Sequence, residues 1–241
     1  MKGAVISSEA NVDKNKLSTD TLTFSDIENK AEYSASSTGV NLDTRKTAEA
    51  KDAGLTPAIG TKATGDADST TKSAIAEGTI EVRIGNTDLS NLSRDTANSL
   101  NALGKIFDKK TVAEQQELAK VFGEVAFNLV HKISKANDWD EGSPQKIALH
   151  AFVGAVMADM GGGNALSGAA GAGLNEAIQK ELAEKFKDNP DLHQWASAIV
   201  GSAAATVVGG DIQTGGSTAA SGTKNNFLSD WQKEQREQAL K

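Results

Sequence analysis

The sequence predicts a mainly α-helical protein: two glycine-rich helical hairpins plus an amphipathic helical pair, preceded by a short β-rich, partly disordered N-terminal segment. Three observations predict it. Apolar residues recur at helical spacing from Leu118 to Ile133. Two later apolar stretches, opened by Ser143-Pro144 and Asn189-Pro190 and closed by the glycine runs Gly161–Gly163 and Gly209–Gly210, superimpose when the chain is shifted by 47 positions. Upstream of all of these, Ser, Thr, Asn and Asp dominate and the apolar runs are short and β-prone.

The elements follow in order. Residues 1–46 contain "GAVIS" and "LTFSDIE", strand-like pieces that cannot build a core alone and look like the last rung of a larger β region. Residues 47–72 have no period and many turn formers, which predicts a flexible linker. Residues 73–88 hold one or two short strands near Thr79–Ile84. A helical domain is expected over 89–226. Its first helix spans about Ser93 to Phe107. Its second starts at the capping-box pair Thr111 and Glu114 and carries the stripe Leu118, Val121, Phe122, Val125, Leu129 and Ile133. Residues 227–241 read as a charged helical tail beginning near Ser229.

In the two hairpins, Ser143 and Asn189 suit N-caps and the prolines behind them suit the first helical position. Under the shift of 47, Gly154 falls on Gly201, Gly162 and Gly163 on Gly209 and Gly210, Gly168 on Gly215, and Asn164 on Asp211. Small residues recur at every fourth position: Gly154, Ala158 and Gly162 on one face, Ala165, Ala169, Gly173 and Ala177 on another, and Ser197, Gly201, Ala205 and Gly209 on a third. This spacing lets helix backbones approach closely, in a soluble bundle or in a membrane. Glycine inside a helix costs roughly 0.5–1 kcal/mol relative to Ala, and close packing is the simplest compensation. Gly154, Gly162, Gly163, Gly168, Gly173, Gly201, Gly209 and Gly210 are therefore the candidate close-packing positions. Each apolar run falls short of the roughly 18 residues of a spanning helix, and His150, Asp159, Asn175 and Glu176 interrupt them. Close-packed helices lead; a hairpin that inserts in a bilayer at some stage is the alternative.

Bulk composition narrows the function classes. A chain of 241 residues can bury a sizeable core. A net charge of −7 gives no basic footprint, so no nucleic-acid partner is expected. "MKGAVISSEA" lacks the apolar stretch of a signal peptide, and Cys is absent. No phosphate-loop pattern occurs, since "GAAGAG" follows a helical pattern and precedes no Lys. His131, His150 and His193 show no metal-ligand spacing, and no nucleophile–base pattern is found. The residues thus predict no enzyme, no cofactor, no metal and no catalytic site. Trp139, Trp195 and Trp231 read as core or rim anchors.

Two groups of residues carry a resemblance. "GAVISSEANVDKNKLSTDTLTFSDIENKAEYSASSTGV" resembles the C-terminal repeat region of filamentous hemagglutinin-like adhesins of two-partner secretion systems. "GSPQKIALHAFVGAVMADMGGGNALSGAAGAGLNEAI" and "LHQWASAIVGSAAATVVGGDIQTGGSTAASGTKNNFLSDWQ" resemble the pretoxin region of contact-dependent growth-inhibition toxins. The resemblance implies a module of a secreted or surface-borne bacterial protein, linking a stalk to a C-terminal toxin and assisting its presentation or delivery. It implies as partners the protein's own upstream stalk and downstream toxin, the outer-membrane transporter and a target-cell membrane. Many family members mark the toxin boundary with Val-Glu-Asn-Asn. The matching place here reads Thr223-Lys224-Asn225-Asn226, so the paired Asn is present and Val-Glu is not. Two rival readings stand beside it, a membrane-active helical-hairpin protein and a truncated remnant of such a gene.

Overall fold

The computed structural model describes residues 1–45 and 51–228, and the chain divides into two compact units. About 46% of it is helical, with six α-helices and eight strands among the described residues. The expected tail beyond Leu228, with Trp231, lies outside the described residues, as does the start of the expected linker up to residue 50.

The first unit comprises Met1–Tyr33 and Gly65–Phe107. Its strands stack in parallel over long sequence separations. β1 (Val5–Ile6) pairs with β7 (Ala74–Ile75), and β2 (Lys16–Thr19) with β8 (Thr79–Val82). Single parallel bridges join Lys2 to Ser25 and Ala74 to Ser93. β3 (Ile27–Ala35) pairs with β6 (Ala63–Thr71), and the boundary between the units falls inside both strands. The helix expected over 93–107 does not form. Side chains there bond their own backbone instead: Ser93 accepts from the Asp95 amide at 3.2 Å, and Asp95 accepts from the Ala97 and Asn98 amides at 3.1 Å each. Such local bonds compete with a helical ladder.

The second unit comprises Ser34–Thr64 and the chain from Asp108 on. The expected linker is here a strand region. β4 (Thr38–Asp43) and β5 (Gly54–Ile59) pair antiparallel, with Val40 opposite Pro57. Helical side chains hold the strand and the turn after it by their carbonyls. Trp195 donates to Leu55 O at 2.7 Å, Ser217 to Ile59 O at 2.7 Å, Gln213 to Gly60 O at 2.9 Å and Gln116 to Thr61 O at 3.0 Å. β6 explains why the pattern escapes a hydrophobicity scan. It alternates inward and outward, but its inward positions are Ala63, Gly65, Ala67 and Ser69. Limited proteolysis checks this strap. Residues 54–64 should resist cleavage in the parent chain, and Gln213→Ala combined with Trp195→Phe should speed cutting there several-fold.

Six helices complete the unit: α1 (Lys109–Ala136), α2 (Pro144–Met160), α3 (Ala165–Ala177), α4 (Gln179–Lys185), α5 (Pro190–Val207) and α6 (Ile212–Gly222). The cap of α1 is Asp108, one turn before the expected Thr111; its carboxylate accepts from the Thr111 amide at 2.9 Å. Asn164 and Asp211 cap α3 and α6 in the same way, at 2.9 and 2.7 Å. α2 packs on α3, α5 on α6, and α3 on α6. The main apolar cluster is Ala119, Phe127, Val130, Val153, Met157 and Ala172. α1 thus turns Ala119, Gly123, Phe127 and Val130 inward, and most of the stripe read from the sequence faces out: Leu118, Val121, Val125 and Leu129 are exposed. No described helix is long and apolar enough to cross a membrane.

Candidate functional site: a buried polar cluster around the Asn225–Asn226 turn

α6 does not end in a normal cap. It runs into a π-helical turn over Thr223–Phe227, the segment "TKNNF", so the boundary quartet Thr223, Lys224, Asn225 and Asn226 is a widened helical turn. Such turns are rare and often mark functional sites. Thr223, Asn225, Asn226 and Leu228 are buried. Lys224 pairs with Asp52 at 2.7 Å. The Asn225 amide donates to Ser221 at 3.2 Å.

The buried members of the turn meet a polar core. Thr223 shares a hydroxyl bond with Ser197 of α5 at 2.7 Å and accepts from the Asn175 amide of α3 at 2.9 Å. Asn226 lies in hydrogen-bond contact with His150 Nε2 of α2. Phe227 meets His193 of α5 edge-on, at a centroid distance of 5.2 Å. His193 in turn faces the Gln179 amide at 3.1 Å.

Charge is buried beside Asn226. Lys146, one turn before His150 on α2, bonds Glu141 and lies 3.7 Å from Glu176 of α3. Glu176 accepts from the Gly142 amide at 3.1 Å and approaches His150 Nε2 at 3.3 Å. Lys146, His150 and Glu176 are each 1% exposed. Burial, reinforced by Glu141, pushes the Glu176 carboxyl up to about 8. Burial, with the Lys146 charge behind it, pulls the His150 imidazole down to about 3. Burial alone brings His193 to about 4. At neutral pH both imidazoles are therefore neutral, and burial favours the protonated form of Glu176. Among the described residues no group of three or more acidic or histidine side chains is placed to hold a metal. Sequence reasoning took Asn175 and Glu176 as interruptions of an apolar run and passed over Lys146 and Gln179.

The glycines set how closely the helices around the cluster approach. A Cβ on Gly154 would overlap Gly168 O and stand 2.6 Å from Ala172 Cβ; one on Gly168 would overlap Gly154 O and stand 2.6 Å from Ala158 Cβ. The second pair repeats the geometry: Gly201 against Gly215 O and Ala219, and Gly215 against Gly201 O and Ala205. A Cβ on Gly210 would overlap Ser167 Oγ, and one on Gly163 would stand 3.0 Å from both Lys62 O and Thr214 Oγ1. Gly173 is looser, since a Cβ there would stand 3.2 Å from Ala151 Cβ. Gly162 and Gly209 serve chain reversal, with φ of +75° and +68°, and a Cβ on Gly209 would meet nothing within 4 Å. For Gly209 the close-packing expectation is replaced by a turn requirement. Not foreseen as packing nodes are Gly171, which meets Gly215 O, and Gly161, which meets Thr61.

No family model matches the chain, and no solved structure matches it. Curated relatives do. The tRNA nuclease CdiA-2 of Burkholderia pseudomallei strain 1026b is 31% identical over 251 aligned positions, 85% of this chain and 8% of that protein. A tRNA nuclease CdiA of Burkholderia pseudomallei is 33% identical, over 83% of this chain and 19% of its own length. Toxin CdiA of Escherichia coli is 30% identical over 94% of this chain and 8% of its own length. The chain thus spans less than a fifth of these relatives. Their names correct one expectation: the absence of a catalytic pattern predicted a protein that is no enzyme, whereas several relatives are named as tRNA nucleases. Over most of its length, this chain is a relative of the CdiA toxins of contact-dependent growth inhibition.

Proposed function

We propose that this chain is the hemagglutinin-repeat/pretoxin segment of a surface-borne toxin of interbacterial competition, of the tRNA nuclease kind that the relatives' names describe. Its helical unit presents and delivers the toxin. The two helix pairs are hairpins of one design, and they enclose the turn that resembles the family's toxin boundary. The observation that carries this reading is the coincidence at Thr223–Phe227: the segment singled out by resemblance is also the π-helical turn anchored in the buried polar cluster. Upstream stalk and outer-membrane transporter are the partners this reading requires. A competition assay tests it. Cells displaying the parent toxin with Gly201→Leu in this segment should show it at the surface in normal amount yet inhibit target cells at least tenfold less. Equal inhibition at equal display defeats the reading.

A second reading concerns the target-cell membrane, and a specific observation favours it. Beside its apolar cluster, the helical unit buries many polar side chains and exposes large apolar ones. Its interior holds Ser167, Asn175, Gln179, Gln194, Ser197 and Thr218, while Val125, Phe152, Leu166, Ile199 and Val207 point outward. Small and hydrogen-bonded residues between helices with large apolar ones outside is the distribution that suits contact with lipid. Binding of the chain to vesicles of phosphatidylethanolamine and phosphatidylglycerol, lost on Phe152→Ser with Ile199→Ser, is the expected result.

A further inference from the structure

We propose that His150 and His193 form a latch that holds the Thr223–Phe227 turn inside the helical unit, and that acid releases the turn by protonating both imidazoles. The geometry is paired. Each histidine sits on one of the two proline-opened helices, His150 on α2 and His193 on α5. Each faces a carboxamide through Nε2, Asn226 in one case and Gln179 in the other. Each packs on phenylalanine rings, His150 on Phe127 at 5.0 Å, His193 on Phe186 and Phe227 at 6.3 and 5.2 Å. Asn226 and Phe227, gripped by the two histidines, are consecutive residues of the turn.

An imidazolium donates from both nitrogens. His150 Nδ1 is buried without a hydrogen-bond partner among the described residues, while Nε2 meets the Asn226 amide and lies 3.3 Å from Glu176 Oε2, so a doubly protonated ring keeps one buried N–H unsatisfied and sets the other against the amide that now holds the turn. Asn175, Thr223 and Gln179 complete the grip through neutral bonds only. The charged groups facing His150 are Glu176 from α3 and Lys146 from its own helix, with Glu141 behind Lys146. None of the ring and hydrogen-bond partners of His193, Gln179, Phe186 and Phe227, is ionisable. The released state exposes both imidazoles at their ordinary affinity for protons, near 6.5. Folded, burial holds both well below that, so falling pH favours release. Glu176 opposes this in part. Its carboxyl is protonated while buried and gives up the proton when exposed above about 4.5. At pH 6.5 the exposed imidazoles are half protonated and gain and loss cancel, whereas by pH 5.0 two protons gained and one lost leave a net uptake of about one on opening.

Hydrogen exchange on the full chain tests it. Corrected for intrinsic rate, exchange at residues 223–228 should rise roughly tenfold from pH 6.5 to 5.0, as the net uptake grows from none to about one proton, while the amides of α3 change much less. His193→Phe keeps the ring packing and removes one titrating group, so the acid response of the segment should be abolished. No rise in the parent chain, or an equal rise throughout α2 and α3, overturns the latch. The imidazole proton signals of the unaltered chain supply a check that needs no variant. They should stay in the neutral position down to pH 5.5, and titration of both above that pH overturns the proposal.

Discussion

Gly201→Leu should lower the melting temperature of the helical unit by roughly 10 °C, where Gly104→Ala leaves it unchanged. A Cβ at position 201 would already overlap Gly215 O and Ala219 Cβ, so the leucine must part α5 from α6. The obstacle is carbonyl backbone, which cannot turn aside as a flexible side chain can. Overpacking in a core costs about 1–3 kcal/mol, and this site belongs at the upper end. In a domain of this size about 3 kcal/mol corresponds to the stated shift. Gly215 is touched from two sides, by Gly201 and by Gly171 of α3, so a displacement there propagates into the α3–α6 packing that holds Asn175 against Thr223. A Cβ on Gly104 would meet nothing within 4 Å, so Gly104→Ala serves as the control. A Gly201→Leu chain that melts like the parent would mean that the small-residue face is free rather than packed.

The repeat was legible because its constraint is steric. Only Gly and Ala satisfy a backbone-to-backbone approach, so the same letters recur at the same offset, Gly154 with Gly201 and Gly168 with Gly215. The stripe of α1 shows the limit of periodicity. Leu118, Val121, Val125 and Leu129 do lie on one face, but period says only that a helix has two faces, not which one is covered. The usual assumption that the most apolar face is inside fails for α1, whose inner face is Ala119, Gly123, Phe127 and Val130, in a unit that also buries Ser, Thr, Asn and His. The same mixed interior hid the cluster. Glu176 and Lys146 look like solvated charges in one dimension, and only the approach of α2 to α3 brings them within 3.7 Å. Strands β5 and β6 were missed because threonine, alanine and glycine fill their inward positions, leaving no alternation of hydrophobicity to read. The Asn225–Asn226 turn could be singled out only by its resemblance to known boundaries, since no local signal foretells a π-helical turn.

Lys146→Met and Glu176→Gln should differ sharply in cost, although they alter two ends of one buried contact. Lys146 carries the one ammonium of the contact, with Glu141 bonded to it and Glu176 at 3.7 Å. Met preserves the apolar stem but leaves the Glu141 carboxylate without its cation, and breaking a buried pair in this way costs about 3–5 kcal/mol. Glu176 is another case. Burial raises its carboxyl to about 8, so at pH 6.5 the folded chain holds it as the neutral acid. Gln has the same shape, keeps an oxygen for the Gly142 amide and introduces no new charge. Its cost near pH 6.5 should be under about 1.5 kcal/mol, that of a near-isosteric exchange. The pH profile then separates the two roles. A raised acid stabilises fully below its ordinary value near 4.5 and loses that contribution as pH climbs through 8. A depressed histidine does the opposite, stabilising fully above 6.5 and losing its contribution as pH falls. Between 4.5 and 6.5 the two histidines outweigh the one acid, so the parent chain should be most stable near pH 6.5. Stability should fall towards pH 8 with a slope of up to about 1.4 kcal/mol per pH unit, one proton's worth. Glu176→Gln should flatten that alkaline limb and leave the acid limb in place, steeper than before. Urea melts of the parent and both variants from pH 5 to 8.5 measure all of this. If Glu176→Gln costs as much as Lys146→Met at pH 6.5, Glu176 is ionised in the fold and paired with Lys146, and the neutral-acid account of the cluster is wrong.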